Sequence, residues 1–116
     1  MAYYPTTDKL VDKLLELSSA GKIAWQETAD DRVFVALLPK FTVAISRLRR
    51  ADEDYSFRVV DGHDKVIEEA IVVETDHVQY NDPWEKLRNL YELARRSAVH
   101  TDEAISDLLA SLEQIR

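Results

Sequence analysis

Three histidines, His63, His77 and His100, carry the readiest acid–base and metal chemistry in this chain near neutral pH. Two of them lie among carboxylates. Asp61, His63 and Asp64 crowd one short segment, and Asp76 precedes His77. Mixed imidazole and oxygen sets can hold manganese, iron or zinc. The spacing argues against a site, because no H-x-x-x-H or H-E-x-x-H pair sets two imidazoles on one helical face. Aspartate is also ordinary turn chemistry. No metal and no other cofactor is expected.

Carboxylates recur in runs: Asp30-Asp31, Asp52-Glu53-Asp54 and Glu68-Glu69. Adjacent acids on a strand point to opposite faces, and acids in turns meet water. General acid–base work needs a carboxyl in a dry pocket with a shifted pKa. The chain has no cysteine, which removes disulfides, thiolate nucleophiles and cysteine-based metal sites. Its two glycines, Gly21 and Gly62, stand far apart, so no glycine-rich loop can cradle a phosphate. There is no G-x-S-x-G nucleophile turn. No catalytic residue emerges, and the sequence leans away from an enzyme.

Charge is more informative. The net charge is −7, and residues 61–85 hold eight acids against one base, Lys65, while the other acids and bases cancel. Glu68, Glu69, Glu74 and Asp76 are therefore the candidate residues for a cationic protein partner, since an acidic face steers such a partner into encounter. The basic residues do not form a free stripe. Arg47, Arg49 and Arg50 end one predicted strand and Arg58 lies on the next, with Asp52, Glu53 and Asp54 between them. Arg88, Arg95 and Arg96 sit on a predicted helix. Every base has acids nearby, so internal pairing is expected and a nucleic-acid partner is not.

The elements that would position these groups can be read from periodicity. Leu10, Val11, Leu14, Leu15 and Leu17 predict a helix over Thr7–Ala20, capped by Thr6 or Thr7 and ended by Gly21. Strands are predicted at Ile23–Thr28, Val33–Leu38, Phe41–Arg49, Tyr55–Val60 and Val66–Glu74. In the last of these Ile67, Ile71 and Val73 share a face. Short connections imply antiparallel neighbours, since a parallel crossover needs about a dozen residues. Asp82-Pro83-Trp84-Glu85 opens a long helix whose apolar side is Trp84, Leu87, Leu90, Tyr91, Ala94 and Ala98. Val99-His100 interrupts it. Thr101 is expected to cap a last helix with Ile105, Leu108, Leu109, Leu112 and Ile115 in one stripe. Trp25, Phe34, Phe41, Phe57, Trp84 and Tyr91 are the expected aromatic core, with Tyr55 less firmly placed.

The expectation is thus one α+β domain over residues 1–116, with residues 1–5 a candidate arm. An N-terminal helix precedes an antiparallel four- to five-stranded meander, and two C-terminal helices pack on the sheet, on a partner, or both. Ile105, Leu108, Leu109 and Leu112 are the candidate oligomer contact, and a homodimer is plausible on this reading. No run approaches the ~20 apolar residues of a membrane span, and Met1-Ala2-Tyr3-Tyr4-Pro5 lacks the regions of a secretory leader, so no membrane partner and a cytoplasmic location are expected.

Three blocks, Gly21-Lys22-Ile23-Ala24-Trp25, Phe41-Thr42-Val43-Ala44-Ile45-Ser46-Arg47 and Leu90-Tyr91-Glu92-Leu93-Ala94-Arg95-Arg96-Ser97-Ala98, cover much of the chain together with Asp102-Glu103-Ala104. In them the sequence resembles small uncharacterised prokaryotic α+β proteins with a G-K-I-x-W strand and an LYELARRSA helix. The resemblance implies this architecture and a bacterial-type intracellular setting. It attaches no activity, cofactor or catalytic residue. The leading functional expectation is a non-catalytic, self-associating protein-interaction module. The alternatives are an immunity- or antitoxin-type neutraliser of a basic protein, and a small-ligand binder or enzyme with a pocket between sheet and helices.

Overall fold

The first helix, α1 (Pro5–Ser19), starts one residue after an extended Tyr4. This departs from the expected threonine cap. Pro5 occupies the first helical position, where its missing N–H costs nothing and its fixed φ suits the helix. Thr7 is buried and donates its hydroxyl to Glu68 Oε2 at 2.9 Å, so it ties the helix to the sheet. At the other end Gly21 takes φ +72°, the Gly21 N–H bonds Ser18 O and the Lys22 N–H bonds Leu17 O. These two bonds make a Schellman stop, as the glycine predicts.

The computed structural model describes residues 4–48, 54–73 and 83–115. The element order is α1, β1 (Trp25–Glu27), β2 (Val33–Leu37), β3 (Phe41–Arg47), β4 (Tyr55–Asp61), β5 (Val66–Val72), α2 (Pro83–Ala98) and α3 (Thr101–Glu113). The five strands form one sheet in the order β1-β2-β3-β4-β5, every pair antiparallel. The α+β meander read from the sequence is the observed fold.

Register decides which face is greasy. Directly paired residues share a face, so Phe34 with Ile45, Ile45 with Phe57, and Phe57 with Ala70 run as one row through four strands. Ala36 and Val43 lie on the same side and are shut off from solvent. Tyr55 pairs with Val72 and is buried too. One expected face needs correction. Ile67 and Ile71 do not join the core: Ile71 stands opposite Ser56, on the face away from Phe57 and Ala70, and Ile67 is exposed. The inward residues of β5 are Ala70 and Val72, and the pairing shifts register between Val59 and Val60 near the other end of the strand. Phe41 also departs from expectation; it lies at the sheet end and is exposed rather than core.

Both α1 and α2 cover the same sheet face. Contact with all five strands shows that α2 crosses the whole sheet. Its buried residues are the six expected from periodicity, Trp84 through Ala98. Tyr91 packs edge-on against Phe34 at 5.5 Å between ring centres, and Tyr55 meets both Trp84 and Tyr91 at 6.3 and 5.6 Å. Such tilted pairs set the positive edge of one ring against the face of another.

Polar ties fix the two helices to each other and to the sheet. Lys86 Nζ lies 2.9 Å from both Asp8 Oδ1 and Asp12 Oδ1, which joins the N-terminal halves of α2 and α1. At the opposite end the Trp25 indole N–H donates to Ser18 Oγ at 3.0 Å, and the Trp25 backbone N–H donates to Ser97 Oγ at 3.2 Å. The short strand β1 is thereby clasped by both helices, which run in the same direction. Burial pulls the Lys86 pKa down, but its hydrogen bonds to Asp12 and Asp8 and their charges outweigh it and leave it above the ordinary lysine value.

Candidate interaction surface

The chain leaves α2 through two residues. Val99 N–H still bonds Arg95 O, and His100 then adopts φ 54° and ψ 45°. This left-handed conformation is unusual for a residue with a side chain. His100, not Thr101, is the cap of α3, and no side chain accepts a bond there. Thr101 is already helical. The first turn holds Asp102 and Glu103, which favour the positive end of the helix dipole. Arg96 on α2 bonds Asp102 Oδ1 at 2.6 Å, and His100 Nδ1 lies 3.7 Å from Glu103 Oε1. These contacts brace the bend between the two helices.

Beyond that bend α3 touches almost nothing. It buries no residue. Its apolar stripe is open to water: Ile105 is 46% exposed, Leu108 57%, Leu109 56%, Leu112 51% and Ile115 71%. Four of these are the candidate oligomer residues of the sequence, and the structure brings all four onto one free face. Scattered exposed leucines need no explanation, but a contiguous stripe along a whole helix marks an unfilled interface. Of the other large exposed apolar residues, Leu37, Leu38, Phe41, Val66 and Ile67 lie at the sheet end and on β5, Tyr4 and Leu10 at α1, and Val99 in the bend after α2.

Of the four acidic candidates, Glu68 and Glu69 are among the described residues. Glu68 accepts the Thr7 hydroxyl on one carboxylate oxygen and the Glu69 N–H on the other. Glu69 Oε2 accepts from Arg58 Nε at 2.9 Å. Both are thus engaged internally, and Arg58 pairs across β4–β5. Glu74 and Asp76 lie outside the described residues, as do His77, Arg49 and Arg50. In the β4–β5 turn, Asp61 Oδ1 accepts from the N–H groups of His63 and Lys65, and so serves the turn itself. Among the described residues no group of three His, Asp or Glu side chains could hold a metal ion.

A cleft of about 500 Å³ opens where α1, β1, α2 and the start of α3 meet. Ser18, Lys22, Leu93, Arg96, Ser97 and His100 are among its walls. Several of its polar groups serve the fold already. Ser18 and Ser97 accept from Trp25, Ser97 donates to Ile23 O, and Arg96 is paired with Asp102. A binding pocket needs convergent polar groups left over for a ligand, and Ser18, Ser97 and Arg96 are engaged by the scaffold.

Comparison with protein-family models, with curated proteins and with solved structures gives no match. Among the described residues no helix is long and apolar enough to cross a membrane.

Proposed function

We propose that this chain is a protein-interaction module that binds a second copy of itself through α3. One observation carries the reading: a complete amphipathic helix whose apolar stripe finds no cover among the described residues of its own domain. Forming a helix fixes backbone at a cost, and isolated helices of this length are marginal in water. Packing on another chain supplies the missing burial. The stripe is large enough to matter. Five side chains offering about 100 Å² each put on the order of 1,000 Å² in play over two copies, the threshold for a specific interface. The acids of α3, Asp102, Glu103, Asp107 and Glu113, fall beside or behind the stripe and not within it. Two copies can therefore meet without placing bare carboxylates in the seam.

Sedimentation velocity over a range of concentrations tests this. The intact chain is expected to shift from one copy to two as concentration rises. Leu108→Ser combined with Leu112→Ser is expected to stay single while keeping its circular dichroism spectrum. A chain that remains a single copy at every concentration overturns the reading.

A further inference from the structure

The stripe on α3 has an internal symmetry. Ile105, Leu108, Leu112 and Ile115 are spaced three, four and three apart, with isoleucine outside and leucine inside. With Leu109 set aside, whose mirror position is Ser111, the pattern reads the same in both directions about residue 110, and Ile115 stands just past the last helical residue, Glu113. A twofold contact must be self-complementary, with residue i on one copy meeting j on the other and j meeting i. From this, and resting on the self-association proposed above, we infer that α3 pairs with α3 of a second copy in antiparallel orientation, with the twofold axis at residue 110. Ile105 then meets Ile115 of the other copy, and Leu108 meets Leu112. All four layers are filled by branched aliphatic side chains.

Three further features favour this orientation over a parallel pair. The first is charge. Between residues 101 and 113 the helix carries four acids and no base. A parallel pair would set two Asp102-Glu103 turns side by side, whereas an antiparallel pair sends them to opposite ends. It also opposes the two helix dipoles. The second is shape. At about 100° per residue, Ala104 and Ser111 line one flank of the stripe and Asp102 and Glu113 the other. The small flank lets backbones approach closely. On the acidic flank, Glu113 of one copy stands about 7.5 Å along the axis from Asp102 of the other, and Asp102 is paired with its own Arg96. The third is bulk. The sheet and its two covering helices hang from the N-terminal end of α3 only, at the His100 bend. Antiparallel pairing places the two domains at opposite ends of a rod about 20 Å long, and parallel pairing would press them together.

The absence of cysteine makes the test clean. In the antiparallel pair, position 111 lies about 3 Å along the axis from its symmetry mate, and position 105 about 15 Å from its own. In a parallel pair every position lies beside itself. Ser111→Cys and Ile105→Cys variants of the full chain would be treated with a short bismaleimide at a concentration where the parent sediments as two copies. Efficient linking of the Ser111→Cys chain, with at least tenfold less linking of the Ile105→Cys chain, is the expected result. The Leu108→Ser, Leu112→Ser background should abolish both, through a rise of about a hundredfold in the dissociation constant. Equal or preferred linking at position 105 overturns the antiparallel arrangement and leaves self-association standing. A parent chain that never forms pairs overturns both.

Discussion

Two consecutive helices, α2 and α3, share an amphipathic design and differ in charge and in what faces them. Both carry an apolar stripe at helical spacing, both have acids in the first turn, and two residues separate them. Yet α2 buries six side chains and α3 buries none. The sheet explains the difference. Its inner face is five strands wide, and α1 and α2 cover it well enough that Ile45, Phe57 and Ala36 have no contact with solvent. The left-handed turn at His100 then directs the chain away from that covered face. An amphipathic pattern states that one side of a helix needs cover; it does not say that the cover comes from the same chain.

The widest gap between the two helices should appear in paired truncations. Leu90→Ala on α2 empties a fully enclosed site and should cost about 3–4 kcal/mol in urea denaturation. Leu112→Ala on α3, measured dilute enough to keep chains apart, should change stability by no more than about 0.5 kcal/mol. A large loss at Leu112 under those conditions would mean that α3 folds back onto its own domain, and the contrast would fail.

Next comes the clamp that holds α2 in place and has no counterpart on the stripe of α3. Lys86→Met leaves Asp8 and Asp12 facing each other without their shared cation, and should cost about 1–3 kcal/mol. The same clamp sets a pH dependence. A lysine whose folded pKa is raised stabilises the fold fully below its unfolded value of about 10.4, and that contribution fades as pH climbs through the folded value. Tyr91 acts in the same direction. Burial raises its pKa, partly opposed by Arg47 and Arg95 and helped by Glu92 and Asp31, so unfolding is favoured once free tyrosine ionises near pH 10. Denaturation midpoints measured between pH 8 and 11 should therefore fall at the alkaline end, and the Lys86→Met chain should fall less steeply.

Smaller effects sharpen the boundary. Ser97→Ala, in the last turn of α2, removes the acceptor of the Trp25 N–H and should cost about 1 kcal/mol. His100→Gly, three residues on, should move stability by no more than about 0.5 kcal/mol, because relief of the left-handed strain is offset by the freedom of glycine in the unfolded chain. Thermal melts followed by circular dichroism would separate these two values.

Much of this was legible in the sequence, and what was not has physical causes. The meander followed from strand alternation and short turns, and Trp25 and Trp84 fell in the core as their faces required. The stop at Gly21 was legible because the constraint is local to one residue. The start of α1 was not, since Thr6 and Thr7 are good caps in isolation while Pro5 already satisfied the position and Thr7 was taken by Glu68, 61 residues away. The covered face of β5 was hidden because Val66–Val72 carries aliphatic side chains on both sides, and only pairing to β4 decides between them. In the candidate site, the stripe of α3 was visible from periodicity. Its lack of cover depended on the width of the sheet and on the bend at His100, which no local pattern reports. Neither the pairing of Arg58 with Glu69 nor the Lys86 clamp could be read from neighbours along the chain.

The clasp around Trp25 bears on how the molecule comes into being. The strand it anchors is complete by residue 27, yet its N–H waits for a hydroxyl 72 positions later. Lys86 likewise waits to join an aspartate 78 positions before it. Loops of that span are slow to close. During synthesis the sheet must emerge with its oily side bare until α2 has followed it out, and an unpaired, uncovered sheet is the species most prone to stick to its neighbours. The late helix thus sets the moment at which a growing chain becomes safe from aggregation, and the helix after it is free to seek company only once that moment has passed.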